Sequence, residues 1–404
     1  MQPAQRTRRP SLTLVITWLL TFSMWIPTFC VPPMEHVLKT ELALNYTQAS
    51  LIFSAPILMI VILAIPAGRF ADRWGPQKSA GLGIIIIVVG SLLRSTATDV
   101  TSLLVFTFIY GAGLGWTFPT IPKIVSQRAP KEEAGLATGV LTSGILTGGA
   151  IALGLTMRLI FPIFGTYQSV FLIWSIPAIV AAGLWWWQIR RQSPPQVATT
   201  KTDQPRSMPL SRVLRDRKLW LVAIMLLLHN FFFYTWTGWA PTLLYNKGAS
   251  VDLAGIITSI IMWVGVPTLF IIPRMSFRMG VRKPFLWVPS IILAASALAA
   301  LYVDINLSWG LMALVGIAIV TRFSTVLALP VEMMPKEEVG IASGLVLSIG
   351  YIGAIIGPLI GGRVLDLTGS LNQAMIILII VSIATTIIAL RLPETGPKGK
   401  PSID

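Results

Sequence analysis

The 404-residue chain is 54% hydrophobic and 12% charged, with 31 Lys and Arg against 16 Asp and Glu and a net charge of +15. With a mean hydropathy of +0.76, this composition lies far from that of soluble globular domains and excludes an ordinary water-soluble fold. The one cysteine, Cys30, excludes an intrachain disulfide and any cysteine-based metal site.

A membrane span needs about 20 apolar residues to cross roughly 30 Å of hydrocarbon. Twelve segments qualify, at 12–32, 48–68, 79–97, 100–125, 134–157, 168–189, 219–243, 251–272, 284–303, 308–331, 339–362 and 373–391. The first is followed by Pro32 and Pro33 rather than a small-residue cleavage site, so it reads as a retained span and not a removed signal peptide. An even number of spans puts both termini on one side. Of the 31 Lys and Arg, Lys39, Arg94, Arg158, Lys247 and Arg363 fall on the other side and Arg322 falls inside a span; the rest lie with the termini. Positive charge marks the cytoplasmic face, so both termini are expected there, in a multi-pass plasma (cell inner) membrane protein. The surplus charge is then topological, and no nucleic-acid partner is expected.

Span 1 carries Trp18, Thr21, Ser23, Trp25, Pro27 and Thr28, more polar and aromatic than lipid contact requires. Spans 2 and 3 are joined by GRFADRWGPQK, which sets Gly68, Asp72, Arg73, Gly75 and Lys78 in a tight basic turn. Span 4 contains GAGLG at 111–115, and span 5 has Gly135, Gly139, Gly144, Gly148, Gly149 and Gly154, small residues that let helices approach closely in a bilayer. After span 6 a polar, proline-containing and basic stretch at 191–218 reads as a linker between units at 1–190 and 219–404. The loop after span 8, PRMSFRMGVRK, repeats the earlier turn with Arg278 in place of Arg73 but Phe277 in place of Asp72. Charge pairing is therefore expected from the first loop alone.

PKEEAGLATG at 130–139 recurs as PKEEVGIASG at 335–344, with seven of ten positions identical at an offset of 205. One half is a copy of the other, and a half-length duplication in an apolar chain indicates a transporter built of two pseudo-symmetric six-helix bundles, an all-α integral membrane fold. Glu132 and Glu337 in these loops begin spans 5 and 11, where carboxylates favour a helix N-terminus, and are expected as gate partners for loop cations such as Arg73.

None of the 16 acidic residues falls inside an expected span. That argues against a cation carrier with a buried counter-charge and against a carboxylate proton relay. An ionisable group inside the membrane costs at least ~2.5 kcal/mol at a helix centre, so those present mark functional sites by default. Two stand at depth. Arg322 lies about 16 Å from the terminus-side end of span 10, and His229 about 15 Å from the start of span 7. A permanently charged guanidinium with no buried acid suits an anionic substrate; the competing reading is an Arg bonded to carbonyls of a broken helix, or one that snorkels to the interface. His229 is either a packing residue or, with an ordinary pKa near ~6.5, a proton carrier. Phe233 and Trp236 at i+4 and i+7 from it would form an aromatic cavity wall. Asn230, Tyr234, Trp25, Trp239, Tyr110 and Trp116 are further candidates, against packing or an interfacial belt. Lys123 reads as interfacial.

Twelve spans in two halves, GRFADRWGPQK after span 2, the central basic linker and the duplicated PKEE-G loops together resemble the major facilitator superfamily along the whole chain. The resemblance implies an alternating-access carrier that holds substrate near the midplane, with Asp72 and Arg73 locking the cytoplasmic side in one state. TFSMWIPTF followed by APILMIVILAIPAG resembles the nitrate and cyanate porter branch, although Ala64 stands where the nitrate carriers place an arginine. Thr107 stands where proton-coupled members often carry an arginine, and Ile145 where drug antiporters have a proline.

The expected function is secondary transport of a small organic or inorganic anion across the lipid bilayer, with proton coupling, if present, through His229 or on the substrate itself. The alternatives are an efflux carrier for hydrophobic or amphipathic compounds, and a non-transporting receptor of the same fold. No nucleophile–base set, phosphate loop or metal cluster is visible, so neither an enzyme nor a cofactor is expected, and the protein is expected to be a monomer.

Overall fold

The computed structural model describes residues 10–126, 134–191, 214–335 and 338–399. Among the described residues, twelve helices are long and apolar enough to cross a membrane. Their helical cores are α1 (Pro10–Phe29), α2 (Tyr46–Trp74), α3 (Pro76–Arg94), α4 (Val100–Thr117), α5 (Ala134–Leu155) and α6 (Tyr167–Arg191), then α7 (Arg217–Asn246), α8 (Val251–Met279), α9 (Pro284–Tyr302), α10 (Ile305–Met333), α11 (Val339–Thr368) and α12 (Leu371–Arg391). No strand occurs among the described residues.

Several helices begin at polar caps, which satisfy N–H groups that have no intrahelical partner. Asn45 accepts from the Gln48 N–H at 2.7 Å while the Gln48 side chain accepts from the Asn45 N–H at 3.0 Å, a reciprocal capping box at the start of α2. The Asp216 carboxylate at the start of α7 and the Asp304 carboxylate at the start of α10 also accept from first-turn N–H groups, without the reciprocal bond. Prolines such as Pro27, Pro56 and Pro358 sit inside helices, as membrane helices allow when neighbours satisfy the freed groups.

Three local departures from the sequence reading matter. The first α-helix ends at Phe29, and the span continues through a 3-10 turn (Pro32–Met34) into a short helix (Glu35–Leu42), so that the helical stretch runs on to Leu42. The Gly68 to Lys78 segment is not a long loop: α2 stays helical through Trp74, and Gly75 alone turns the chain at φ 92° before Pro76 opens α3. Only glycine adopts that φ without strain, and proline is favoured at the first helical position. After α5 the chain makes one π-turn, Thr156–Ile160, which carries Arg158.

One buried cluster joins α1 to α6, taking in Tyr234, Met262 and Ala354 from the second half, and two more fill α7 to α12. The halves meet where α2 packs on α11 and α5 on α8. A methyl group on Gly255 would lie 2.6 Å from the Leu153 carbonyl oxygen and one on Gly362 2.6 Å from that of Tyr46, so backbone contact here requires glycine.

Polar contacts between the halves gather at the end away from the termini. The Asp366 carboxylate at the end of α11 accepts from the Tyr46 and Thr47 N–H groups at 2.8 and 2.9 Å and from the Thr47 hydroxyl, so one half caps a helix of the other. Arg158 pairs with Asp252 at 2.8 Å. Thr242 donates to Glu35 at 3.0 Å. At the terminus end the ion pairs among the described residues lie within halves. Asp72 binds Lys123 at 2.6 Å, and the Gly68 carbonyl also accepts from Lys123. Lys123 is thus a partner of the loop motif as well as an interfacial residue.

The second loop also pairs, contrary to expectation, and with inverted polarity. Arg282 binds Glu332 at 2.7 Å, and its own N–H and that of Lys283 are held by Glu394 at 2.6 and 3.0 Å. The loss of the acid at Phe277 is compensated by an acid on the neighbouring helix. Arg73, Lys78 and Arg278 are exposed. Glu132 and Glu337 lie outside the described residues.

Candidate substrate cavity

A cavity of about 430 Å³ lies between the two halves, with walls from α1, α2, α5, α7, α8, α10 and α11 and from the Phe118–Pro119 turn after α4. Most of its lining is apolar or aromatic. Ala64 and Ile145, the two positions at which the chain departs from related motifs, both face it.

His229 is presented by α7, an unbroken 30-residue helix, and Arg322 by α10. Arg322 is fully buried, and its Nε donates to His229 Nδ1 at 3.0 Å and its Nη1 to Ser290 Oγ at 3.2 Å. Its Nη2 has no hydrogen-bond partner, and no carboxylate pairs with it among the described residues. The Phe232 ring lies 5.9 Å from the guanidinium carbon, a cation–π contact that offsets part of the desolvation. Because Nδ1 accepts from Arg322, the neutral imidazole carries its proton on Nε2. His229 lines the cavity and stacks on Phe323, with ring centres 5.4 Å apart. Arg322 stands behind His229 and does not itself line the wall. The backbone-carbonyl reading of Arg322 finds no support, since its recorded partners are side chains.

Of the other expected contacts, Asn230 and Trp25 line the cavity from opposite halves, and Asn230 also donates to the Gly350 carbonyl at 3.0 Å. Trp236 and Tyr110 do not line it. Trp236 shares the azimuth of His229 but lies seven residues, about 10 Å, further along α7, where it stacks on Phe232 and donates to Met312 Sδ at 3.4 Å. The cavity face of α7 is instead His229, Asn230, Phe233 and Tyr234. The Tyr110 hydroxyl donates to the Met24 carbonyl at 2.6 Å and meets Thr28 at 2.8 Å, a tie between α4 and α1.

Sequence reasoning missed five residues. Tyr351 and Ser348 on α11 and Phe118 after α4 line the cavity; a tyrosine in an apolar span was the available signal. Arg94, expected at the surface, is fully buried. It donates to the Pro27 carbonyl at 2.6 Å and lies 4.0 Å from the Phe171 ring centre, so it caps the C-terminus of α1, where a cation meets the orphan carbonyls. Glu35, read as external, is buried against Thr242, and one of its oxygens has no partner. The acid-free interior inferred from span boundaries therefore needs correction at the short helix after α1, because the first span runs on past Pro33 and sets Glu35 against Thr242.

Twelve membrane-length helices in two bundles around a central cavity, with the buried Arg322 behind its wall, are the frame of a membrane transporter. The chain belongs to the Major Facilitator Superfamily, whose family model matches residues 15–358 and 243–404. It is 25% identical to the uncharacterized transporter YycB of Bacillus subtilis (strain 168), with 90% of each chain covered. It is 22% identical to the cyanate transport protein CynX of Escherichia coli (strain K12), over 88% of this chain and 91% of that one. Its fold matches the crystal structure of a bacterial homolog of the human lysosomal transporter Spinster in an inward-facing and unoccupied conformation, with a TM-score of 0.79, 16% identity, and 99% of this chain and 100% of that chain covered.

Proposed function

We propose that the protein is a secondary carrier for a small anion, working by alternating access, with its termini in the cytoplasm. The observation that carries this reading is the Arg322–His229 pair. A fully buried guanidinium without a carboxylate projects its charge toward the cavity through a hydrogen-bonded imidazole. An isolated buried cation is costly unless another charge compensates it, and a bound anion would do so. The likeness to a cyanate carrier agrees with this. The polar latches at the end away from the termini describe a state closed on that side, which the distribution of positive charge makes the external one. Proton coupling, if it operates, is assigned to Nε2 of His229. The test is anion flux into proteoliposomes for the wild type and Arg322→Gln, with folding checked by thermal melting. Loss of flux in a folded variant supports the assignment; undiminished flux overturns it.

The apolar, aromatic wall favours a second reading, efflux of uncharged amphipathic compounds. It predicts transport that does not depend on Arg322.

A further inference from the structure

We infer that the substrate is a planar aromatic monocarboxylate rather than a small inorganic anion. This rests on the anion reading and adds the chemical class. Three independent features of the cavity carry it.

The first is size. About 430 Å³ lies within the ~300–1,000 Å³ typical of organic-ligand sites. A two- or three-atom anion would leave most of that wall without contact.

The second is the wall itself. Trp25 meets Phe118 edge-on at 5.9 Å and Phe118 meets Tyr351 edge-on at 6.0 Å, while Phe29 stacks on Tyr234 at 6.5 Å with planes 15° apart. Each chain of rings crosses from one half to the other, so a flat ring bound among them touches both halves at once. Aromatic pairs in such offset and edge geometries contribute beyond their buried area.

The third is the donor set. Tyr234 and Tyr351 both line the cavity, and neither hydroxyl has a hydrogen-bond partner among the described residues. Buried tyrosines ordinarily satisfy that group. Two phenols and His229 Nε2 are thus neutral donors at the cavity wall, backed by one positive charge on Arg322. A single carboxylate matches that set: it accepts several hydrogen bonds and brings one negative charge. A dianion would leave its second charge facing hydrocarbon.

The experiment is equilibrium binding of radiolabelled benzoate to the full chain in lipid nanodiscs, with unlabelled competitors. Saturable binding is expected, displaced by naphthoate but at least about tenfold less well by benzamide, acetate, cyanate or phthalate. Tyr351→Phe and Tyr234→Phe, which delete one oxygen each and keep the ring, should each weaken binding by about tenfold. If cyanate or acetate binds better than benzoate, or benzoate does not bind at millimolar concentration while small anions do, the aromatic class is wrong and the anion reading stands. If benzamide competes as well as benzoate, the charge contributes nothing and both fall. If both phenylalanine variants bind benzoate like the wild type, the phenols are not the donors and the assignment of this site is overturned.

Discussion

Arg322 Nε donates to His229 Nδ1 at 3.0 Å, so the imidazole, and not the guanidinium, meets the cavity. The arrangement couples two residues 93 positions apart into one electrostatic unit. It makes the chemistry of either dependent on the geometry of the other.

Arg322→Lys should reduce transport by about ten- to a hundredfold despite keeping the charge. An ammonium cannot reproduce the planar fork that reaches His229 and Ser290 together. Initial uptake rates at saturating and subsaturating substrate would separate lost binding from lost turnover, and rates within twofold of wild type would refute the requirement for the fork.

His229→Phe removes the acceptor for Arg322 Nε and leaves that donor buried and unpaired, which costs about 1–3 kcal/mol. A lower melting temperature than for His229→Gln is expected, since glutamine offers both an acceptor and a donor. If His229 carries the coupled proton, His229→Gln also flattens the pH dependence of uptake, measured with matched pH on both sides of the vesicle. An unchanged pH profile in that variant would remove His229 from the coupling step.

Asp366→Ala should loosen the end away from the termini. The carboxylate caps α2 from the other half, and an N-terminal cap contributes about 0.5–2 kcal/mol, equivalent to roughly a two- to thirtyfold shift between closed and open states. A cysteine at Ser50, in a Cys30→Ser background, is expected to react faster with a polar thiol reagent once Asp366 is replaced. Equal labelling rates would mean that the latch lies elsewhere, with Arg158 and Asp252 as the next pair to test.

Glu394, beyond the last membrane helix, gives a pH test of the terminus end. Partial burial alone would raise its pKa, but backbone N–H groups of Gly396, Arg282, Lys283 and Thr395 outweigh this and hold it below the usual carboxylate range. A depressed pKa means its contribution is complete above the ordinary value near ~4.3 and is lost as pH falls through the lower folded value. Glu394→Gln should therefore melt below the wild type at neutral pH, with the gap closing in acid. A gap independent of pH would show that the carboxylate charge is not what fastens the tail to the α8–α9 loop.

Much of this protein was readable in one dimension. Lipid imposes a length and an apolar run on every span, a duplication copies both halves, and an ionisable residue in hydrocarbon is conspicuous wherever it falls. Those three constraints are local or periodic, and they were enough for the twelve helices, the two halves and the choice of Arg322 and His229. What escaped depended on which neighbour covers each helix face. Trp236 and His229 share an azimuth on α7, yet α10 covers one and the cavity opens at the other. Tyr351, Phe118 and Trp25 become one wall only when α11, the end of α4 and α1 are brought together from both halves. Glu35 and Arg94 sit near span ends, where sequence assigns them to water. The contact with Thr242 buries Glu35 instead, and the Pro27 carbonyl and the Phe171 ring bury Arg94. Spacing along the chain determines that a charge is in the membrane; only tertiary packing determines whether it faces lipid, a partner or the substrate, because that depends on helices remote in sequence.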